Sequence, residues 1–575
     1  MTSTTESQTS ADGPVASGPP KPARARGRAP RDEGQWALGS TAPMNPNEVF
    51  KAADGGLNVR ERIERVYSKQ GFAAIPADDL RGRMRWWGLY TQRRPGIPGG
   101  KTATLAPEEL DDEYFMLRVR SDGGALTAAQ LRVVAGVAAE FGRGVADITD
   151  RQNIQLHWIA IEDVPEIWRR LELVGLSTAE ACGDTPRVVL GSPLAGVAAD
   201  EIVDGSAAIE EIVGRFVGTP EFANLPRKFK GAVSGSPRQD VAHEINDVSF
   251  LGVVHPVHGP GFDLWVGGGL STNPMLAQRL GAWVPADEVA DVYGAVLGLF
   301  RDYGYRRLRS KARLKFLLKD WGVERFRQVL ESEYLSRPLL DGPPPQPPAD
   351  GHRDHIGIHR QRDGLVYVGA ATTVGRTDAD ALTRVADLAE EFGSGRIRLT
   401  AWQNLVLLDI DPAAADHLAD ELGRLGLQVA PSPVRRAAMA CTGIEFCKLA
   451  IAETKGTAAQ LIGQVEQRLP DFDQPIAIHV NGCPNSCARF QIADIGLKGV
   501  LVSDADSGTQ QEGFQVHLGG SLGQDAGFGR SPRGLRLTSE ELPDYVERLL
   551  RRFAAAGRGR SFAEWALEAD EEELR

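Results

Sequence analysis

A single pattern occurs twice in this 575-residue chain, at a constant spacing of 251 residues. The matching segments are Ala139–Gly142 with Glu390–Gly393, Gln152–Asn153 with Gln403–Asn404, and Val174–Leu176 with Leu425–Leu427. Three matches at one offset predict a duplicated half-molecule. In the first copy, residues 114–120 have a strand pattern, residues 127–141 have apolar side chains at helical spacing, and residues 154–161 again have a strand pattern. The sequence therefore predicts an α+β fold of two halves related by a pseudo-twofold axis.

Composition divides the chain further. Residues 1–40 are rich in Ser, Pro, Gly and Arg and have few large apolar side chains, so we expect a disordered tail. Residues 41–110 form a basic arm, and the Pro-rich stretch at 336–354 is an extended linker between the halves. Each half then has a smaller unit that resembles a ferredoxin-like half-domain, and a larger α+β unit. The predicted bounds are 111–180 and 355–430 for the smaller units, and 181–335 and 431–575 for the larger units.

Four of the five cysteines lie close together in the second half. They form two pairs, Cys441 with Cys447 and Cys483 with Cys487, and thiolates at this density are typical ligands of iron-sulfur clusters or zinc. A zinc site fits the five-residue gap of the first pair poorly, and disulfides need an oxidising compartment. Buried core cysteines rarely cluster in this way. The spacing favours a cluster and leaves these three alternatives open.

The second pair stands in the segment Asn481-Gly482-Cys483-Pro484-Asn485-Ser486-Cys487-Ala488-Arg489, directly after a strand-like run at 475–480. Together with the first pair, this segment resembles the signature of the nitrite/sulfite reductase family. The resemblance implies that Cys441, Cys447, Cys483 and Cys487 bind one [4Fe-4S] cluster. It also implies that Cys487 is the axial ligand of one sirohaem and joins it to the cluster. The larger units would then enclose both cofactors.

The first half supplies the basic residues that a polyanionic cofactor and an oxyanion substrate require. By the resemblance, Arg118, Arg187, Lys228 and Lys230 surround the distal face of the sirohaem, where they bind the substrate and deliver protons. Lys228 and Lys230 are two residues apart in an extended context, so both ammonium groups point to one face. A solvated strand face is the alternative for the two lysines. The other sirohaem contacts that the resemblance implies are Thr149, Arg151, Gln155, His157, Asn485 and Arg489, and a buried core histidine is the alternative for His157.

The activity that the resemblance implies is the six-electron reduction of sulfite to sulfide, with reduced ferredoxin as donor. Sulfite-reducing relatives keep both lysines, whereas nitrite-reducing relatives commonly have asparagine at the second, so Lys228 and Lys230 favour sulfite. The alternatives are a ferredoxin-dependent nitrite reductase, an oxygen-using relative in corrin biosynthesis, and a non-enzymatic zinc-binding scaffold. The net charge of −12 argues against nucleic-acid binding, and the sequence has no apolar run long enough to span a membrane. We expect a cytoplasmic monomer.

The fifth cysteine, Cys182, precedes a predicted substrate-binding arginine and is expected near the pocket. One interpretation is an inert buried thiol. The other, from the resemblance, is a covalent thioether between Cys182 and the ring of Tyr90 in the basic arm. The same arm carries Arg81, Arg83 and Arg85, where we expect a basic patch that binds the acidic donor.

Overall fold

The computed structural model describes residue 38 and residues 45–346, 353–503, 508–557 and 559–575. Nearly all of the predicted tail and the centre of the predicted linker lie outside the described residues. The helices of seven or more residues are α1 (Pro46–Ala53), α2 (Ala128–Phe141), α3 (Val164–Leu173), α4 (Ser206–Phe216), α5 (Val289–Tyr303), α6 (Leu314–Val329, broken at Gly322), α7 (Ala379–Phe392), α8 (Ala415–Arg424), α9 (Lys455–Arg468), α10 (Leu542–Ala556) and α11 (Phe562–Glu568).

The strands are β1 (Leu89–Arg93), β2 (Asp111–Val119), β3 (Ala125–Thr127), β4 (Val145–Ile148), β5 (Ile154–Ile159), β6 (Leu190–Gly191), β7 (Gly231–Ser234), β8 (Val248–His255), β9 (Gly259–Val266), β10 (Gln278–Val284), β11 (Leu340–Asp341), β12 (Gly357–Arg360), β13 (Val366–Ala370), β14 (Arg376–Asp378), β15 (Arg396–Leu399), β16 (Leu405–Ile410), β17 (Met439–Ala440), β18 (Ile478–Asn481), β19 (Ile495–Ser503), β20 (Gln510–Leu518) and β21 (Arg536–Thr538).

Two five-stranded sheets form the smaller units, and each sheet takes one strand from the other half. Their strand orders are β1-β2-β5-β4-β14 and β12-β13-β16-β15-β3. β3 leads into α2 of the first half but pairs with β15 of the second. In the same way, β14 leads into α7 of the second half but pairs with β4 of the first. The predicted α+β fold with two related halves is confirmed, and this reciprocal exchange of strands is an addition to it.

Equivalent helices cover these two sheets. α2 is capped by Thr127, whose hydroxyl accepts a hydrogen bond from the Gln130 amide, and α7 is capped by Asp378, whose carboxylate accepts one from the Ala381 amide. The apolar faces of both helices contribute to one hydrophobic core that joins the two halves, through Leu131, Val134, Ala138, Leu382, Val385 and Ala389. Within the described residues, no helix combines the length and the apolar character needed to cross a bilayer.

The larger units contain the sheets β11-β10-β9-β8-β7-β6 and β17-β18-β19-β20-β21. In each sheet, three parallel strands (β6, β7 and β8, or β17, β18 and β19) are followed by an antiparallel neighbour. The turns after β7 and β18 also share two left-handed backbone positions. Gln239 and Ala242 have φ values of 54° and 47°, and Ser486 and Arg489, each 247 positions later, have φ values of 57° and 60°. The duplication therefore extends to the larger units.

Candidate active site

The two cysteine pairs lie at the same edge of the second-half sheet. Cys441 directly follows β17, and Cys483 follows β18 after Gly482. Because β17 and β18 are parallel neighbours, their carboxyl ends bring the two loops together. The Cys441 amide donates to the Val480 carbonyl at 3.1 Å, and the Gly482 amide donates to Cys441 Sγ at 3.3 Å. The cysteine segment therefore follows a strand, as the strand-like run at 475–480 predicted.

The surroundings of these thiols fit an iron-sulfur cluster. Burial, together with the neighbouring Cys487 and Cys447, raises the pKa of Cys441 to about 12. Burial and Cys487 likewise raise the pKa values of Cys447 and Cys483, so the four sulfurs lie within electrostatic range of one another. Metal binding displaces the protons of such thiols, and amide donors stabilise the resulting thiolates. The amides that favour the thiolates are those of Gly443 and Gly482 at Cys441, Leu449 and Ala450 at Cys447, and Asn485 at Cys483.

A cluster and a single ion need different ligand arrangements. In the part of the chain that the structure describes, no three His, Cys, Asp or Glu side chains converge as the ligands of one metal ion do. In a [4Fe-4S] cluster, by contrast, each cysteine sulfur binds a different iron atom. The loops therefore suit a cluster by their four thiols and their amide donors.

Lys228 and Lys230 lie on either side of Phe229, just before β7. The Phe229 side chain is fully buried in the core, and its backbone carbonyl accepts a hydrogen bond from the Arg187 amide at 2.8 Å. The extended backbone therefore turns both ammonium groups to the opposite face, as predicted. Burial and then the charges of nearby arginines lower the pKa of Lys228 to about 7, whereas Cys487 raises it. Burial also lowers the pKa of Lys230 well below its ordinary value, with Arg151 and Lys228 contributing.

A cationic wall of the first half consists of Lys228, Lys230, Arg118 and Arg187. Arg118, in β2, donates from Nη2 to Gln155 Oε1 at 3.1 Å, and its buried Nε has no hydrogen-bond partner within the described residues. Burial, followed by the charge of Arg187, lowers the pKa of Arg118 to about 10, while Cys487 raises it. Gln155 also donates to the Thr442 hydroxyl at 3.1 Å and so connects the wall to the cysteine loop. The structure thus brings cations of the first half close to the last cysteine of the motif.

The turn between β4 and β5 holds two more predicted residues. The Thr149 hydroxyl accepts hydrogen bonds from the amides of Arg151 (3.3 Å) and Asn153 (3.2 Å), which closes the turn. The Arg151 guanidinium donates to Asn246 Oδ1 (2.5 Å) and to the Val188 carbonyl (2.6 Å). Burial lowers the pKa of Arg151 to about 9. Arg151 is therefore held inside the first half, next to Lys230.

Arg489 connects this turn to the cysteine motif. Its Nε donates to Asp150 Oδ2 at 3.2 Å and its Nη2 to the Asp150 carbonyl at 2.7 Å. The guanidinium also lies 5.8 Å from the centre of the Trp402 ring, while its buried Nη1 has no partner among the described residues. An oriented cation with one unused donor suits a carboxylate ligand. Asn485, from the same motif, is exposed.

His157 differs from the prediction. Its side chain is fully buried, donates from Nε2 to Asp147 at 2.9 Å, and stacks on Phe446 with ring centroids 3.8 Å apart. It therefore lies behind the cysteine loop and has no accessible surface for a contact with a cofactor. This geometry argues against the predicted sirohaem contact and favours the alternative of a core histidine.

Tyr90 and Cys182, the partners of the predicted thioether, lie next to the arginines of the cationic wall. The Arg118 guanidinium lies 5.7 Å from the centre of the Tyr90 ring. Arg187 donates to the carbonyls of Ala181 and Gly183, on either side of the buried Cys182. Both partners of the predicted thioether thus border the pair of arginines.

The three arginines of the predicted donor-binding patch are ion-paired or buried. Arg81 pairs with Asp111 at 3.0 Å, and Arg83 is buried and pairs with Asp79 at 2.8 Å. Arg85 is buried, which lowers its pKa, and it lies within electrostatic range of Cys182 and Asp184. These arginines neutralise local carboxylates or face the interior, so they do not form an exposed basic surface.

Sequence reasoning missed several charged residues of the site. Arg227 directly precedes Lys228, and its pKa is lowered to about 10 by burial and by Arg309. Arg313 donates to Asp247 at 2.8 Å and also lowers the pKa of Lys228. The basic run at 306–313 was the available signal. Asp150, the carboxylate that orients Arg489, had no such signal, since its partner lies in the other half.

Two family models match the chain. The model described as "Nitrite and sulphite reductase 4Fe-4S domain" matches residues 182–339 and 433–575, and the second of these matches contains all four clustered cysteines. The chain belongs to the nitrite and sulphite reductase family. The family's "ferredoxin-like half domain" matches residues 108–174 and 359–425, which are separated by the 251-residue spacing of the repeat. The predicted family is confirmed.

Relatives within this family cover nearly the whole chain. "Sulfite reductase [ferredoxin] 2" of Mycolicibacterium paratuberculosis is 60% identical over 96% of this chain and 100% of the relative. "Assimilatory ferredoxin-dependent nitrite reductase" of Haloferax mediterranei is 35% identical over 90% of each chain. The solved structure of the Mycobacterium tuberculosis NirA protein is 58% identical, has a TM-score of 0.92, and covers 95% of this chain and 100% of its own. The family fold is therefore present over almost the full length.

Proposed function

We propose that this chain is a ferredoxin-dependent sulfite reductase, which reduces sulfite to sulfide with six electrons. The observation that carries the proposal is the approach of first-half cations to the last cysteine of the motif. Lys228 and Arg118 both interact electrostatically with Cys487. Relatives named sulfite reductase are 58–60% identical to this chain, whereas those named nitrite reductase are 35–37% identical.

The cofactors of the proposal are one [4Fe-4S] cluster and one sirohaem. Cys441, Cys447, Cys483 and Cys487 would hold the cluster, and Cys487 would also bind the sirohaem iron. When bound, the two groups supply one-electron transfer and an iron that ligates the substrate. Arg489 has an oriented guanidinium with a donor that no described residue uses, which suits a sirohaem carboxylate. The other peripheral residues of the proposal are Thr149, Arg151, Gln155 and Asn485.

The protein residues bind the anion and manage protons. Sulfite reduction consumes eight protons and six electrons and releases three water molecules with hydrogen sulfide. Arg118 and Arg187 are fixed by hydrogen bonds to Gln155 and to backbone carbonyls, so they hold the oxyanion in one orientation. Lys228, with a pKa of about 7, is suited to give protons to departing oxygens near neutral pH, and Lys230 lies beside it as a second buried lysine.

A nitrite reductase of the same fold is the second candidate, because such relatives also cover most of the chain. The test is steady-state reduction of sulfite and of nitrite by the purified holoprotein with reduced ferredoxin. We expect a higher kcat/KM for sulfite, because the second ammonium group, that of Lys230, suits a dianion. A higher kcat/KM for nitrite would assign the chain to the second candidate. A purified protein that is colourless and contains no iron would contradict both.

We also propose that Cys182 Sγ is bonded to a ring carbon of Tyr90 next to the hydroxyl. Formation of this bond removes one hydrogen from each residue, as two protons and two electrons, and dioxygen is the oxidant that accepts them. Peptide mass mapping should recover one cross-linked species, lighter by two hydrogens than the sum of the two peptides. Recovery of separate, unmodified peptides would reject the bond.

The electron donor in this proposal is a separate reduced ferredoxin, and the enzyme works as a cytoplasmic monomer. Light scattering of the purified holoprotein tests the oligomeric state, with a mass near 62.1 kDa expected. A mass of twice that value would replace the monomer by a dimer.

A further inference from the structure

A buried carboxylate lies behind the cysteine loop 441–447. Asp147, in β4, exposes 2% of its surface and accepts hydrogen bonds from His157 Nε2 at 2.9 Å and Arg376 Nε at 2.7 Å. Lys455 Nζ, at the start of α9, lies 3.4 Å from the same carboxylate. Burial alone would raise the pKa of Asp147, but Lys455, His157 and Arg376 together hold that pKa well below its ordinary value. Asp147 is therefore an anion on which three other segments converge.

Two of these partners also contact the cysteine loop. Arg376 donates from Nη2 to Glu445 at 2.8 Å, and the His157 ring stacks on Phe446 with an interplanar angle of 19°. The Arg376 guanidinium lies 5.8 Å from the Phe446 ring as well, so that ring is contacted by both partners. Glu445 and Phe446 immediately precede Cys447. The carboxylate therefore supports the backbone that presents this sulfur.

The third partner reaches the other cysteine of the loop. Lys455 interacts electrostatically with Cys441 and donates a hydrogen bond to the Val374 carbonyl. Thr454, the neighbouring residue, donates from its hydroxyl to the Cys441 carbonyl at 2.6 Å. The ammonium group is buried, so its charge is poorly screened by water. Asp147 is the carboxylate that offsets it.

We propose that Asp147 is a positioning residue of the iron-sulfur centre: through Arg376 and His157 it fixes the loop 441–447, and by offsetting Lys455 it lowers the reduction potential of the cluster. The proposal rests on the proposed function, because it requires the four cysteines to hold a cluster. Reduction adds a negative charge to the cluster, so an uncompensated cation nearby favours the reduced form. Charge and hydrogen bonding around the sulfurs are known to set cluster potentials.

The test is a redox titration of the full-length holoprotein, in which the reduced cluster is followed by electron paramagnetic resonance. Asp147→Asn keeps the shape and an acceptor oxygen but removes the negative charge, so the midpoint potential should rise. Lys455→Gln removes the positive charge, so the potential should fall. Opposite shifts distinguish electrostatic positioning from general loosening of the loop, which would move both variants in the same direction.

Asp263→Asn is the matched control. Asp263 is also buried and ion-paired, with Arg279 at 2.8 Å, but it lies in β9 of the first half. Its variant should keep the wild-type potential. Shifts of the same sign in the two test variants, or no shift beyond that of the control, would overturn the proposal. If Asp147→Asn does not fold, the sign of the Lys455→Gln shift decides alone, whereas a wild-type protein without any cluster signal would overturn the proposed function instead.

Discussion

The turns that follow β7 and β18 share two left-handed backbone positions but have different chemistry. Cys483 and Cys487 of the second half correspond, 247 positions apart, to Ser236 and Asp240 of the first. Ser192 likewise follows β6 as Cys441 follows β17. In the first half, Asp240 is fully buried and accepts hydrogen bonds from Ser192, Ser234 and His355 at 2.6–2.7 Å.

This difference shows how one turn geometry serves two purposes. In the second half this turn presents two thiols, and the backbone amides around them suit an iron-sulfur cluster. In the first half the Asp240 carboxylate, which accepts three hydrogen bonds, occupies the position that corresponds to Cys487. The adjacent segment carries Lys228 and Lys230. At the corresponding positions of the second half stand Pro475 and Ala477, which carry no charge. In the proposed site, each half therefore supplies what the other lacks.

The largest effect is expected from the thiol turn. Cys483→Ser should abolish the cluster absorbance and reduce sulfite reduction to background, because the cofactor carries the redox chemistry. Ser236→Ala, at the equivalent position of the first half, should keep both the spectrum and the activity. Visible spectra and iron analysis of the two purified variants provide the measurement. Equal loss of iron in both variants would contradict the assignment of cluster binding to the turn of the second half alone.

The cationic segment should give the next largest effect. Lys228→Met and Lys230→Met should each lower kcat/KM for sulfite by about 10²- to 10⁴-fold, the range for loss of a positioned acid. Lys319→Met, which removes an exposed lysine from α6, is the control and should leave kcat/KM unchanged. Cluster absorbance should persist in all three variants. Wild-type kinetics in either test variant would remove that lysine from the site.

The buried Asp240 carboxylate of the first half should contribute to stability. Asp240→Ala leaves His355 and two serine hydroxyls without their buried partner, which should cost about 3 kcal/mol in the free energy of unfolding. Denaturant unfolding, followed by tryptophan fluorescence, measures the change. The spectrum of the cluster should persist in the folded fraction. A change below about 0.5 kcal/mol in the free energy of unfolding would mean that the Asp240 carboxylate does not stabilise the fold.

The smallest effect concerns a pair of equivalent aspartates. Asp247 and Asp494 each accept a hydrogen bond at 2.8 Å, from the amides of Lys230 and Ala477, but Asp247 is also paired with Arg313. Burial raises the pKa of Asp494 to about 7 from 3.8. The folded state therefore binds more protons, so this contribution to stability is full below pH 4 and is lost as the pH rises through 7.

Asp494→Asn should consequently stabilise the protein at pH 8 by about 1–3 kcal/mol and have little effect at pH 4. Thermal unfolding at the two pH values measures the difference. Asp247→Asn is the matched variant, and it should destabilise the protein at both values because Arg313 loses its partner. A pH-independent effect of Asp494→Asn would contradict the raised pKa.

The fold and the core of the site could be predicted because their signals are local. The repeat and the two cysteine pairs are visible in short segments, and Lys228 and Lys230 face one side because of their spacing alone. His157 was placed differently because its stacking partner, Phe446, lies far away in the sequence. The same limit applies to Arg81 and Arg83, whose basic appearance is cancelled by Asp111 and Asp79. The domain bounds and the individual roles of the site residues stay predictions.

The exchange of β3 and β14 has a consequence for how the molecule could be divided. A cut in the linker would give two fragments, each with a hydrogen-bonding edge that only the complementary fragment can satisfy. Independent folding of either piece is thereby disfavoured, and co-expression would be needed to restore both sheets. After the gene duplication that the repeat indicates, such an exchange of strands would have made the folding of each half depend on the other.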